Sequence, residues 1–448
     1  MAKGETGIVN QQYELVVGLE VHVELNAKSK MFCRCSTDYF GQAPNTHTCP
    51  VCLGLPGAVP FANEEALKSC IKIGLALNCQ VAELSRFERK NYFYPDLPKG
   101  YQISQYRWPL CVDGWLDVEG SEGMRRIRIN RVHQEEDTGK LTHLKGSTAI
   151  DFNRSGVPLV EIVTEPDFHD VEAVVEYAKK LQQIFRYLGV SNADMEQGDM
   201  RLEANVSIRP ASQTKLPNYR VELKNINSFR FMKAAIQYEI DRQIKALEAG
   251  EKLSQETRGW NEDKKMTYLQ RSKEEARDYR YFPDPDLPEL RMKSEELIIK
   301  NKIPEMPWVK EKRFAGYGLS GELSRVLSED REYSEHFEKT LQIAFQKNIS
   351  ASVVARKYTG IRRRDLDKYE PEKLVAEIKE EQAGRIEDEE QIRQWAEEVI
   401  TENQKSTEDY KNGKEAAIQA LIGGVMRRSG GKANAGLALK VLKKLLSK

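Results

Sequence analysis

Between Tyr13 and Leu25 the odd positions Leu15, Val17, Leu19, Val21, Val23 and Leu25 are all aliphatic, while the even ones include Gly18, Glu20, His22 and Glu24. Strict period-two alternation separates the two sets onto opposite faces of an extended strand, which demands a sheet with one buried and one polar side. A second such strand covers Asp199 to Arg209, with Leu202, Ala204, Val206 and Ile208 inward and Arg201, Glu203, Asn205, Ser207 and Arg209 outward. Shorter candidates are Arg126–Val132, Val157–Thr164 and Arg220–Ile226. Helices are equally legible. Val171, Val174, Val175, Ala178, Leu181, Ile184, Phe185 and Leu188 form one stripe between an Asp170 cap and Gly189. Another helix is expected from Phe229 to Ala249, stopped by Gly250.

At 448 residues the chain is long for one core, and domains of about 100–200 residues suggest about three. The first 290 or so residues read as mixed strands and helices, the rest as helical. Pro283-Asp284-Pro285-Asp286-Leu287-Pro288 punctuates the chain and is expected to mark a domain edge. Beyond it, residues 371–410 carry a net charge of −8 and residues 411–448 a net of +8, which marks a tail module with a cationic end. Over the whole chain 69 basic residues balance 69 acidic ones, so any polyanion must be met by a local patch. No stretch approaches the roughly 18 apolar residues of a membrane span, and Met1 to Gln12 lacks the pattern of a secretory signal. Seven cysteines, four of them in two close pairs, favour metal over disulfides in a cytoplasmic chain.

Glu20, His22 and Glu24 share a strand face at intervals of about 6.6 Å. Glu135 follows the strand around Ile129, and Glu203 and Glu222 occupy further strands. Glu161 sits inside Val157–Val163, where an acid is costly to bury unless it is paired or ligates a cation. Several strands that each offer a carboxylate would gather charge that a cation neutralises, and oxygen ligands with one imidazole suit Mg²⁺. The alternative is a solvated sheet face. Cys33-x-Cys35 and Cys49-x-x-Cys52 make a zinc-type quartet whose closed shell would be structural; four free thiols in a loop are the alternative, and His47 could compete for a ligand position. The run Arg89 to Tyr101 mixes cations, aromatics and prolines and could stack a base, or could be a rigid loop with its aromatics packed inward. No P-loop occurs, so any ATP site is of another kind. Gly316 to Gly321 fits a dinucleotide fingerprint, but with no strand before it the segment reads as a loop between helices.

Taken together, several motifs closely resemble one family, the B subunit of the aspartyl/glutamyl-tRNA amidotransferase. They are Gly18–Leu25, the Arg89–Gln105 loop, His133–Lys140, Asp151–Leu159, Glu222–Phe229 and Tyr279–Pro283, with Asn412-Gly413-Lys414 and Gly431–Asn434 in the tail. The likeness is dense over residues 13–290 and thinner beyond. It implies an α+β fold: a cradle-like mixed sheet domain (1–292) with a zinc loop near 33–52, a helical domain (293–368) and a helical tail domain (369–448) that binds tRNA. It also implies an ATP-dependent carbon–nitrogen ligase with glutamine as amide donor, working in a heterotrimer with the A subunit, an amidase, and the small C subunit. This chain would phosphorylate the side-chain carboxylate of Glu on tRNA(Gln) or Asp on tRNA(Asn), and ammonia would displace the phosphate. By the resemblance, His22, Glu135 and Glu161 match the magnesium ligands. Glu20, Glu203 and Glu222 match a second cation or nucleotide-phosphate set, and Lys224 could meet a phosphate. Structural zinc is a feature of only some members. Two rival readings remain: a non-catalytic tRNA-binding scaffold and a two-metal nuclease. No nucleophile for glutamine hydrolysis is evident, since Cys70, Cys79 and Cys111 lack an adjacent His.

Overall fold

The alternating segments assemble into a ten-stranded sheet in a computed structural model that describes residues 8–10, 12–121, 123–272, 278–292, 299–300, 303–384, 386 and 388–446. Its strands are β1 (Ile8–Asn10), β2 (Tyr13–Glu24), β3 (Gln80–Val81), β4 (Cys111–Gly120), β5 (Gly123–Glu136), β6 (Pro158–Thr164), β7 (Met200–Pro210), β8 (Val221–Ile226), β9 (Glu256–Asn261) and β10 (Met266–Ser272). The spatial order is β10-β9-β8-β7-β2-β6-β5-β4-β3, with β1 paired to the start of β2. Every pairing is antiparallel except β8 with β9. Parallel neighbours need a crossover, and the helix Phe229–Glu248 supplies it.

The aliphatic side of β2 is buried, with Leu15, Val17, Leu19, Val21 and Val23 all at 1% exposure or less. Helices α1 (Glu64–Ala76), α2 (Val171–Leu188) and α3 (Phe229–Glu248) cover the sheet. The ends of α2 follow from its capping residues. The Asp170 carboxylate accepts from the Ala173 amide, and Gly189 takes the left-handed conformation (φ 68°) that closes the last turn. The chain divides into two compact units, Met1–Met306 and Pro307–Lys448.

The proline-rich segment lies inside the first unit, which corrects its reading as a domain edge. Phe282–Pro283 pairs with Glu88–Asn91, and Leu290–Arg291 pairs with Leu84–Ser85. Arg89 binds Asp284, itself buried, through Nε at 2.6 Å and reaches Asp286 at 3.0 Å. The boundary expected after residue 292 adjoins residues 293–298, which lie outside the described residues.

The second unit is helical and holds two hydrophobic clusters. One gathers Phe314, Phe337, Leu341, Val354 and Tyr358, and the helix Pro371–Ala383, on the tail side of the expected boundary at 369, adds Leu374, Val375 and Ile378 to it. The other gathers Ile392, Ala396, Leu421, Val425 and Leu442 from helices Glu389–Glu402, Ile418–Arg428 and Ala435–Leu446. Residues 317–320 connect two helices, as the missing strand required. Among the described residues no helix is long and apolar enough to cross a membrane.

Candidate functional site

The polar side of β2 faces away from its aliphatic side, and sheet register decides what meets it. Glu161 on β6 stands opposite His22 on one side and His133 of β5 on the other. Glu20 stands opposite Glu203 on β7, and His22 opposite Arg201. His22 Nε2 lies 3.3 Å from Glu135 Oε1, 3.5 Å from Glu161 Oε2 and 3.8 Å from Glu20 Oε1. His133 Nε2 reaches the same Glu161 oxygen at 3.5 Å, and Arg131 Nη2 reaches the other at 3.4 Å. Ser104 Oγ donates to Glu135 Oε2 at 3.3 Å. Glu20, His22, Glu135 and Glu161 therefore form one cluster, which draws Glu20 to His22 although the resemblance groups it with Glu203 and Glu222. Glu203 and Glu222 form a second group around Lys224, whose Nζ is 2.7 Å from Glu203 and 3.6 Å from Glu222, while Thr257 donates to Glu222 at 2.7 Å.

The charges are strongly coupled. Burial, then repulsion from Glu161, pushes the Glu20 carboxyl up to about 7. Burial also pushes Glu161 upward, but the His133 charge, the His22 hydrogen bond and Lys90 outweigh it and hold this carboxyl well below the usual range. Burial alone would lower His22; hydrogen bonds to Glu135 and Glu161 reverse that and hold the imidazole well above its ordinary value. His133 is pulled down, chiefly by burial. Burial and its neighbours thus push two carboxyls of the site in opposite directions, Glu161 down and Glu20 up.

Three contributors escaped the sequence reading. His133 and Arg131 lie on β5, which runs on past Val132 to Glu136, so Arg131, His133 and Glu135 alternate toward the acidic face. Their alternation with Val132 and Gln134 was the signal available. Lys90 belongs to the aromatic run. Its ammonium sits over Tyr279 at 5.2 Å and Tyr92 at 5.8 Å, and Glu135, Tyr281 and Glu161 overcome the effect of burial to raise its proton affinity. Tyr281 stacks on Tyr106 at 4.7 Å, and Arg131 lies over Tyr106. The run therefore splits: Tyr92 packs against Tyr279, while Phe93 (91%) and Tyr94 (52%) are exposed.

Donor chemistry fits a hard divalent cation at the acidic cluster. One ligand atom each from Glu20, His22 and Glu161 lie within 4.8 Å of one another, as do those from His133, Glu135 and Glu161. His133 Nδ1 is buried without a partner. Cys33, Cys35, Cys49 and Cys52 likewise place their sulfurs within 4.8 Å of one another, with Cys49 and Cys52 3.9 Å apart. A tetrahedral shell with Zn–S near 2.3 Å needs sulfurs about 3.8 Å apart, so the quartet fits zinc. His47 contributes no ligand atom to this group; its carbonyl accepts from Lys30 instead.

Comparison with known proteins covers nearly the whole chain. The profile of the GatB/GatE catalytic domain matches residues 15–298, and that of the GatB domain matches residues 334–446. The chain is 41% identical to the B subunit of the aspartyl/glutamyl-tRNA(Asn/Gln) amidotransferase of Thermotoga maritima, over 97% of this chain and 99% of that protein. It is 43% identical to the B subunit of the same enzyme from Thermoanaerobacter pseudethanolicus (98% and 100%) and 44% identical to that from Thermodesulfovibrio yellowstonii (97% and 99%).

Proposed function

The chain belongs to the family of aspartyl/glutamyl-tRNA(Asn/Gln) amidotransferase B subunits, and from that premise we propose that it activates the side-chain carboxylate of misacylated Glu-tRNA(Gln), Asp-tRNA(Asn) or both, with ATP as phosphoryl donor. A carboxylate oxygen takes the γ-phosphoryl group and ADP leaves. Ammonia then attacks the acyl carbon, phosphate leaves, and the amide remains on the tRNA. An ionised carboxylate resists attack and has no good leaving group, whereas an acyl phosphate has one. The observation that carries the reading is Glu161, buried and ionised between two imidazoles, with Glu20 and Glu135 on the same His22 nitrogen.

His22, Glu135 and Glu161 hold magnesium in this reading, with Glu20, Glu203 and Glu222 as a second cation or phosphate-facing set. Bound magnesium neutralises phosphate charge and aligns the reacting oxygens. His22 is oriented by Glu135 and Glu161, and Ser104 fixes the Glu135 carboxylate. Lys224 sits between Glu203 and Glu222, within reach of a phosphate that displaces one of them. Structural zinc occupies the cysteine quartet, and the cationic tail contacts tRNA. The partners are an amidase subunit that releases ammonia from glutamine and a third small subunit, in the cytoplasm.

The deciding experiment supplies the chain, held with a catalytically inactivated amidase subunit, with labelled ATP, magnesium and each misacylated tRNA in turn. Amide is expected from ammonium salts and not from glutamine, with labelled phosphate released in step. Binding of both tRNAs without phosphate transfer would leave a scaffold, and cleavage of the tRNA would make it a nuclease.

A further inference from the structure

Lys30 is a charged residue that sequence reasoning passes over and the fold hides. It lies in a polar stretch, Asn26 to Lys30, yet is only 1% exposed. Its ammonium donates to the His47 carbonyl at 2.7 Å, the Phe152 carbonyl at 3.2 Å and Cys52 Sγ at 3.7 Å. None of these acceptors is a carboxylate. A buried ammonium held by two neutral carbonyls and a neutral thiol is costly; one facing four zinc-bound thiolates, which together with the metal carry a net charge near −2, offsets part of that charge.

The same residue sits where two segments meet. Its amide donates to the Cys35 carbonyl at 2.9 Å, closing the tight turn that holds Cys33 and Cys35, and the next amide, Met31, donates to the Gly156 carbonyl at 2.7 Å. Further bonds stitch the two segments together: the His47 amide to Asn153 Oδ1 at 2.8 Å, and Ser155 Oγ to the Cys52 carbonyl at 3.5 Å. The stitched loop, residues 151–156, carries Arg154, which donates to the carbonyls of Thr138 and Gly139 and lies 3.6 Å from Asp137. It then runs directly into β6, the strand of Glu161.

We propose that Lys30 is a positioning residue that ties the thiolate quartet to the 151–156 loop, its buried ammonium balancing thiolate charge on one side and fixing the Phe152 carbonyl on the other. The proposal rests on the zinc reading above. Metal occupancy is thereby linked to the order of a loop that leads into the acidic cluster, although no cysteine touches that cluster. Partners that orient metal ligands from outside typically matter about 10- to 100-fold in metal affinity.

The test uses the purified full chain and two measurements. Zinc release to a chromogenic chelator is compared between wild type and Lys30→Met, which keeps length and all four cysteines while removing charge and donors. Release faster by about 10- to 100-fold is expected; a rate equal to wild type overturns the proposal. In the wild-type chain alone, amide exchange is followed before and after chelation. Faster exchange at residues 151–156 as well as 33–52, with α2 unchanged, is expected; a change confined to 33–52 overturns the coupling even if Lys30→Met does not fold. Wild-type protein that binds no zinc overturns the zinc reading itself, and the proposal with it.

Discussion

Glu161→Gln is the sharpest probe of the acidic cluster, because it preserves shape and removes one charge. The carboxylate it replaces is ionised, 7% exposed, and 3.4–3.5 Å from donors on Arg131, His22 and His133. A unit charge facing a cation at 3.5 Å in an effective dielectric near 20 is worth about 4.7 kcal/mol, or a little over three orders of magnitude. A cation held directly by this carboxylate would be closer still. Phosphoryl transfer from ATP to a misacylated tRNA is therefore expected to fall by at least about 10³-fold. The substitution also weakens attraction to His133, His22, Arg131 and Lys90 while relieving repulsion with Glu20, so folding is measured alongside activity. The assay follows labelled phosphate and amide product at saturating ATP, with circular dichroism and zinc content as controls. A well-folded Glu161→Gln protein that phosphorylates within about tenfold of wild type would refute the electrostatic argument, since tenfold is only about 1.4 kcal/mol.

Three further outcomes follow from other parts of the molecule. Cys49→Ser takes one sulfur from the quartet proposed to hold zinc, so zinc measured by mass spectrometry should drop from about one per chain to a small fraction, with all three remaining thiols open to alkylation; full zinc retention contradicts the quartet. Removing the tail outright would uncover Ile392, Ala396 and Val399, so charge is better removed in place: replacing Lys432, Lys440, Lys443 and Lys444 by Ala should weaken tRNA binding and reduce its salt slope by roughly one for each phosphate no longer neutralised. An unchanged slope would identify that face as merely solvated. Gly114→Ala sets a Cβ against Cys79 Sγ and 2.7 Å from the Leu77 carbonyl, so a loss of about 1–3 kcal/mol is expected in urea unfolding, and an unaltered midpoint would show that the Leu77–Cys79 turn yields freely.

Sequence made the elements legible wherever one face is buried and the other wet. The Tyr13–Leu25 alternation allows one register, because a shift by one residue would turn Leu15 through Val23 outward. The stripe of α2, closed by Asp170 and Gly189, is just as constrained. At the site, Glu161 stood out because an acid inside Leu-Val-Glu-Ile-Val contradicts its neighbours. Local pattern does not carry strand order, which is set by pairings between segments tens to hundreds of residues apart. Nothing local says which residue of β5 is brought opposite Glu161 of β6, that β9 joins β8 in parallel, or that Arg89 reaches Asp284. Lys90 and Lys30 are the clearest cases. Each looks solvated in its own segment, and each meets its partners only once distant strands pair: Glu135 and Glu161 raise the proton affinity of the half-buried Lys90, and the buried Lys30 reaches Cys52 Sγ. A buried cation is tolerable only while that distant charge is present. Each lysine therefore ties its neighbourhood to a site assembled from remote segments, the acidic cluster for Lys90 and the cysteine quartet for Lys30.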